Sequence, residues 1–559
     1  MKIIITDRYI EELKDKYDYF FLFNNRIRHS SEKLFSILNI LESEKIFSKN
    51  ELNTHVNNYI NKFLKLNSKI FKNKYYKILL ESIFFEKNIF ISNFYFNFYQ
   101  YIVFKKIFTK FEKKNNKIYI DLNCNILNSF FDNNRVKTIF KYSLNIIICY
   151  IKGIKFYLFN NFSFKIPINK KKFKKKKLLF VDHYANFSSI NKNSKIWNNL
   201  NLHYNISEFD NLAVNAFKKN TSFSKQNFYI LQKYNNLFIS LKTFYFYTKF
   251  YLSIMFSIKN KKYFNKETLY LFNFLKFSHS GSSLIKTIND YFLFNYFFSI
   301  NSYEKIFITH ENQPWEHICT NSIKSFNKKS LVYYYIHTPL RYWDIRYDPD
   351  IYNKINLNSL PDYICFSSKN CYIQYSDICS GILLKLVDAL RYKHLIELKK
   401  SKTDIHKIKR NSFVLIGDIV KESTFGLLTI LDLYAKDIRK KINIYVKFHN
   451  SNVIETYQFN NISIYDVDKL KKNMTYIYLF PNYTTASIDY FYQDKICISF
   501  LDKFNFNLSP LLKKPNYNFF FDDLDSFKTI LNKLDIYNIN RNKHNFIFEK
   551  KLKNWRKLI

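Results

Sequence analysis

KIFITHENQPWEH (305–317) and SLVYYYIHTPLRYWDIRYDPD (330–350) decide how the rest of this sequence is to be understood. Each opens with an apolar run suited to a strand, at 306–309 and 331–336, that stops abruptly in polar and aromatic residues. His310, Glu311, Asn312, Gln313, Trp315 and Glu316 follow the first run; His337, Arg341, Trp343, Asp344 and Arg346 follow the second. Strands buried on both faces read as continuous apolar runs, and open parallel sheets bind ligands just past their strand C-termini. The interval 317–329 is long enough for one crossover helix, so a β-α-β unit is expected. Either half alone would pass for a packing anchor with a charged rim. Together, two His, two Glu, two Arg and an Asp at equivalent strand ends point to a ligand site.

Working outward, 559 residues are too many for one core, and two or three domains are expected. A hydrophobic content of 47% excludes a disordered chain. The net charge of +43 suggests a nucleic-acid binder. Composition argues otherwise: Lys, Asn, Ile, Phe and Tyr are all inflated while Gly (5) and Pro (8) are scarce, as AT-rich coding drift would produce. The lysines are scattered, so no specific nucleic-acid partner is expected, and an anionic membrane surface is at least as good a counterpart. Seven cysteines show no CxxC pair, which fits a reduced, cytoplasmic protein. The N-terminus starts with a strand rather than a signal peptide. The most apolar stretch, 143–164, is interrupted by Lys152 and Lys155, so no membrane span is expected.

Residues 1–169 read as an α-rich or α/β extension, with strands at KIIITD and KIYIDLN and helical spacing across 75–111. KKKFKKKK (170–177) reads as a linker. LLFVD (178–182) opens a first α/β domain expected to run to 398, with a helix at 236–258, another after Gly281, and a strand at 363–366. A connector is expected at 399–411. SFVLIGD (412–418), INIYVKFHNS (442–451), TYIYLFPNYTTAS (475–487) and KICISFLD (495–502) then give a second strand-turn-helix series, 412–559. The fold class is therefore α/β: two doubly wound, Rossmann-like domains facing a cleft, after an α-rich extension.

Chemistry concentrates at the strand ends. Thr484, Thr485 and Ser487 lie where a strand gives way to a helix, a place suited to phosphate. Lys447 and His449 end a nearby strand and could add positive charge. Glu311, Glu316, His337 and Asp344 are candidates for the general base that transfer to a hydroxyl needs. Arg341 and Arg346 suit a carboxylate or phosphate held by forked hydrogen bonds. Asp348-Pro349-Asp350 matches a metal-binding DxD only as chance would, so no metal is expected.

The run from Glu311 to Glu316 and the His-Thr-x-x-Arg-x-Trp-Asp-x-Arg-Tyr run from His337 to Tyr347 resemble a family of bacterial surface carbohydrate biosynthesis proteins. The likeness continues through Leu360-Pro361-Asp362, Ala389-Leu390-Arg391-Tyr392, Gly417-Asp418, Thr485-Ala486-Ser487-Ile488-Asp489 and Asn507-Leu508-Ser509-Pro510-Leu511. It spans roughly residues 178–530; this chain has Lys447-Phe448-His449-Asn450 where the family tends to Lys-Pro-His-Pro. The resemblance implies a metal-independent glycosyltransferase of the two-domain GT-B kind, needing no cofactor beyond a nucleotide-sugar substrate. Likeness to bacterial sialyltransferase-type enzymes implies a CMP-activated acidic sugar as donor. Lys447, His449, Thr484, Thr485 and Ser487 would hold the donor; Glu311, His337 and Asp344 would be catalytic; Glu316, Arg341, Arg346 and Trp343 would meet the acceptor or an anion. The acceptor would be a glycan or lipid-linked glycan of lipopolysaccharide or capsule, handled in the cytoplasm with peripheral contact at the inner membrane. The alternatives are a polyol-phosphate transferase and a non-catalytic binding component of a polysaccharide-assembly complex.

Overall fold

The computed structural model describes residues 2–6, 19–22, 34–36, 51, 54, 55, 58, 101–102, 117–121, 135–165, 176–185, 196–197, 200, 209–216, 228–259, 282–338, 341, 357–376, 382–397, 408–449, 459–470, 474–493, 495–501, 508–510, 519–534 and 551–559. Three sheets are present among them, every pairing parallel. The first takes β1 (Lys2–Thr6), β2 (Tyr19–Leu22), β3 (Leu34–Ser36) and β4 (Lys117–Asp121) in the order β3-β2-β1-β4. Helix α1 (Arg135–Asn160) follows.

The second sheet has seven strands: β5 (Lys176–Ala185), β6 (Phe209–Ala216), β7 (Phe228–Ile230), β8 (Tyr303–Thr309), β9 (Leu331–Ile336), β10 (Tyr363–Phe366) and β11 (Leu383–Leu386). Helices α2 (Leu237–Lys259), α3 (Ser282–Ile300), α4 (Pro314–Phe326) and α5 (Lys369–Ser376) are threaded between them. The third has six: β12 (Ile408–Ile416), β13 (Ile442–Lys447), β14 (Ile462–Asp466), β15 (Thr475–Phe480), β16 (Ile496–Phe500) and β17 (Phe520–Phe521). Helices α6 (Lys421–Asp437), α7 (Ala486–Tyr492) and α8 (Leu524–Asn532) belong to it, and α9 (Lys553–Leu558) ends the chain.

Strand order identifies the fold. The orders β11-β10-β9-β8-β5-β6-β7 and β14-β13-β12-β15-β16-β17 both begin in the middle, run outward for three strands, then resume on the other side of the first. That is the doubly wound Rossmann order, and it opens a crevice at the reversal, between β5 and β8 and between β12 and β15. Both faces of the second and third sheets carry packed side chains, which is why their central strands are apolar. In the third sheet Phe413 and Leu415 join one core with Leu427, Leu431 and Phe527, while Val414 and Ile416 join another with Phe480, Ile488 and Phe491. In the second, Phe307, Tyr333 and Tyr335 pack on Trp197 and Trp555. Tyr334 turns to the opposite face, where its hydroxyl meets Thr320 of α4 at 2.7 Å.

The paired strands of the opening stretch lie side by side, Ile308 opposite Tyr334 and Thr309 opposite Tyr335, joined by α4. The expected linker is partly strand: Lys176 and Lys177 begin β5, and 170–175 lie outside the described residues. The expected connector likewise ends in strand, since β12 begins at Ile408. Lysine-rich ends are not excluded from strands when the residues after them are buried on both faces. Two segments cross the expected domain limits. Helix α1 packs on α2 and α3, Tyr150 stacking on Tyr247 with ring centroids 5.6 Å apart and the Tyr157 hydroxyl donating to Asn289 at 2.8 Å. The terminal α9 returns to the second sheet, where Trp555 is fully buried.

Candidate active site

At the C-terminal edge of β8 the chain turns sharply. His310 is anchored by its N–H to the Tyr335 carbonyl at 2.9 Å, and Asn312 adopts a left-handed backbone with φ 59°. Asn tolerates that region better than most residues. The turn throws Glu311 toward β9, whose end carries His337. Glu311 Oε1 lies 3.2 Å from His337 Nε2, so the two strand ends expected to share a site do meet. Glu311 remains about one-third exposed while His337 is nearly buried. Gln313 donates to the other Glu311 oxygen at 2.9 Å, and the Trp315 indole N–H donates to Gln313 at 2.9 Å. His337 Nδ1 is buried with no hydrogen-bond partner in the structure.

Beneath this pair Glu316 is completely buried, which removes it from any acceptor. Its Oε1 accepts from the Glu311 N–H at 2.9 Å, its Oε2 from the Asn312 N–H at 3.0 Å, and Oε2 is also in contact with His310 Nδ1. Burial pushes its carboxyl well above the usual range, against the pull of those N–H groups. The side chain expected at the acceptor therefore acts as a clamp on the turn that presents Glu311. His317 Nε2 bonds Asn312 Oδ1 at 2.8 Å, and burial drives its imidazole down to about 3.

Across from this edge lies that of the third sheet. Gly417 ends β12, its N–H donating to the Lys447 carbonyl at 2.8 Å. A Cβ there would stand 3.2 Å from His449 N and 3.3 Å from Lys447 O and Phe448 Cα, so a larger residue would push the β13 end away by a few tenths of an ångström. Lys447 and His449 are both exposed on that end. Asp418 is buried at the reversal between β12 and β15, where its Oδ2 accepts from the Tyr483 N–H at 2.7 Å and its Oδ1 from the Val420 N–H at 3.3 Å. Burial raises it to about 6, opposed by these N–H groups and by the Arg341 charge. Thr484, Thr485 and Ser487 do stand at the start of α7, yet they are engaged: Ser487 Oγ donates to the Thr484 carbonyl at 3.0 Å, and Thr485 Oγ1 accepts from Arg391 at 3.1 Å. α7 has only seven residues, so little dipole field is available there.

The segment after β11 stitches the two edges together. The Leu390 N–H donates to the Tyr335 hydroxyl at 3.1 Å, next to the Glu311–His337 pair, while Arg391 reaches Thr485 and His394 lies 3.2 Å from Asp489. Ala389 and Tyr392 sit in the core of the third sheet. Arg341 acts electrostatically on both Asp418 and Tyr392, which sets it near the edge of the third sheet. Trp343, Asp344 and Arg346, with the 348–350 motif, lie outside the described residues. The candidate list omitted His183, at the end of β5, which stacks on Trp315 with centroids 5.4 Å apart and rings within 5° of parallel. Burial and the neighbouring Lys286 charge lower it to about 3, keeping it neutral beside Glu311. Its position just past an apolar run was the available signal. Asp418, just past the run at 412–417, carried the same signal, and Arg391 carried none beyond the resemblance.

No family model matches the chain, and no curated protein matches it. Among solved structures it is similar to the Candida albicans trehalose-6-phosphate phosphatase N-terminal domain (TM-score 0.33, 11% identity, covering 71% of this chain and 95% of that one). It is also similar to an E. coli trehalose-6-phosphate structure bound with UDP-2-fluoro glucose (0.35, 8%, 68% and 95%) and to the GtfA/B complex (0.28, 8%, 48% and 59%). All three superpositions are loose.

Proposed function

We propose that the chain is a glycosyltransferase that moves a sugar from a nucleotide-sugar donor to an acceptor hydroxyl, with no metal and no cofactor. The observation that carries it is the Glu311–His337 pair, set on a strand edge that the Arg391–Thr485 hydrogen bond links to the edge of a second parallel sheet. His337 Nδ1 is sealed from solvent, so the partly exposed Glu311 carboxylate takes the proton of the acceptor hydroxyl while the His337 Nε2–H, hydrogen-bonded to Oε1, orients it. As the new C–O bond forms, that proton passes to Glu311 and the nucleotide leaves with the electrons of the broken glycosyl bond. Asp344 is a further catalytic candidate from the sequence. The leaving phosphate would be met by Lys447 and His449, and by Thr484, Thr485 and Ser487 if Arg391 releases Thr485. Arg341, Arg346 and Trp343 would hold the acceptor.

The finer reading rests on the quoted motifs. The acceptor is a glycan or lipid-linked glycan of a bacterial surface polysaccharide, lipopolysaccharide or capsule, reached in the cytoplasm at the inner membrane face, and the donor is a CMP-activated acidic sugar. Calorimetry of the intact chain with CMP-, UDP- and GDP-sugars is the test. One of the three should bind, and Glu311→Gln and His337→Asn should keep that affinity while turnover falls by about 10²–10⁴. Failure of all three donors to bind sinks the glycosyltransferase reading.

A further inference from the structure

Among the described residues, more than half of the large apolar side chains left exposed lie on α1, α2 and the chain just after α1. On α1 these are Leu144, Ile147, Ile148, Ile151, Leu158 and Phe159, recurring at three- and four-residue intervals along one stripe. On α2 they are Phe238, Leu241, Tyr245, Leu252 and Phe256, again a single stripe. Both helices rest on α3 through their opposite sides, where Tyr157 and Thr243 share Asn289. They also rest on each other, antiparallel, since Asn235 and Leu237 bond the Asn161 and Lys165 carbonyls while Tyr150 meets Thr248. Their outward stripes therefore lie side by side. Phe159 (76% exposed), Phe164 (80%) and Phe238 (66%) gather at one end, and Phe256 (68%) stands at the other. A contiguous apolar face of this kind marks an interaction site.

Charge says what covers it. Neither helix holds a single Asp or Glu, while Lys152, Lys155, Lys242 and Lys249 stand exposed among the apolar side chains. Lys242 Nζ lies 6.0 Å over the Phe238 ring and Lys249 Nζ 5.7 Å over that of Tyr245, the ammonium heads riding on the aromatic stripe. A second copy of this chain would bring a like charge of +43 against the face. No described helix is long and apolar enough to cross a membrane. Interfacial helices bury an apolar face among the lipid headgroups and draw basic side chains to anionic lipid.

We propose that α1 and α2 form a face by which the protein lies on an anionic lipid surface. This goes beyond the cleft chemistry and does not depend on it. The test is co-sedimentation of the intact chain with phosphatidylcholine vesicles, with and without phosphatidylglycerol. Binding should be at least tenfold tighter to the anionic vesicles and should weaken with salt. Combined Phe159→Ser, Phe238→Ser and Phe256→Ser, all at exposed positions, should weaken it at least tenfold without changing the melting curve. Reversal of Lys152, Lys155, Lys242 and Lys249 to Glu should remove the anionic preference, each lysine contributing about fivefold. Donor binding should be unchanged in both variants, so failure of this proposal and failure of the cleft reading are distinguishable. Absence of vesicle binding, or equal binding by the variants, overturns the proposal. So does finding that the serine substitutions instead dissolve a dimer in lipid-free solution.

Discussion

At the scale of single residues, the buried titratable groups around the cleft act in opposite directions with pH. His317 is fully buried and held near 3, below the 6.5 of a free imidazole, so the native state keeps it neutral. Its contribution to stability is complete above 6.5 and is lost as pH falls from there toward 3, at about 1.4 kcal/mol per pH unit. Asp418, raised from 3.8 to about 6, has the opposite sign: its contribution is complete below 3.8 and lost as pH rises through 6. The two slopes overlap near pH 5, so a whole-protein curve would hide both. We expect the stability difference between wild type and His317→Gln to shrink by about 1.4 kcal/mol per unit between pH 6 and 4. Urea unfolding followed by tryptophan fluorescence measures this, because Trp197, Trp315 and Trp555 all lie in or against the second sheet. An unchanged difference would show that His317 titrates normally. His317 was invisible as a special residue in the sequence, where it reads as the start of a crossover helix. Depth below the cleft is a property of three strands and a helix together.

At the scale of elements, the turn from β8 into α4 was the most legible part of the chain and also the most instructive miss. The two apolar runs ending in polar residues gave the strands, their side-by-side pairing and the meeting of Glu311 with His337. Residue type alone could not separate Glu311 from Glu316, because the turn sends one outward and the next carboxylate, one helical turn in, beneath it. Pro314 at the start of α4 helps fix this, having no N–H to leave unsatisfied at a helix start. Removing the clamp should cost far more than removing the candidate catalyst. Glu316→Ala leaves two buried N–H groups and His310 without their partner, and should destabilise by about 3–5 kcal/mol. Glu311→Ala, at a partly exposed rim, should stay within about 1 kcal/mol. Melting curves of the two variants give the comparison, and equal losses would mean that the turn does not depend on Glu316. Two strands escaped the sequence altogether: β6, eight residues long, carries Asp210 and Asn211, and β17 has only two residues.

For the whole molecule, the repeated β-α alternation sufficed to reveal two α/β domains, but not how the chain crosses between them. Asp388 explains the crossing. Its carboxylate accepts from the N–H groups of Asn554 and Trp555 at 3.0 and 3.3 Å, capping α9, while its carbonyl accepts from the Trp555 indole at 2.8 Å. Two residues on, Leu390 and Arg391 tie the same segment to both strand edges. Trp555→Ala should destabilise the second sheet by about 3–5 kcal/mol. Hydrogen exchange should quicken in β5, β8, β9 and β10 while β12, β13 and β15 keep their protection. Loss of protection spread evenly over both sheets would show that the domains unfold as one body. Contacts of this sequence separation leave no local pattern, which is why the boundary near 412 hid the return of the tail.

That return has a consequence during synthesis. Lys305 holds the carbonyls of Leu558 and Ile559, and Trp555 lies 167 residues beyond the Asp388 that caps its helix. The domain made earlier is therefore the one finished later. At roughly 5–20 residues per second, the nascent chain spends on the order of ten to thirty seconds with an uncovered aromatic slot on its seven-stranded domain. Most of that interval is spent making the later domain, whose own core closes only with Phe527 and Leu534. A ribosome stalled before Trp555 would hold a chain whose older domain still offers a sticky groove to chaperones.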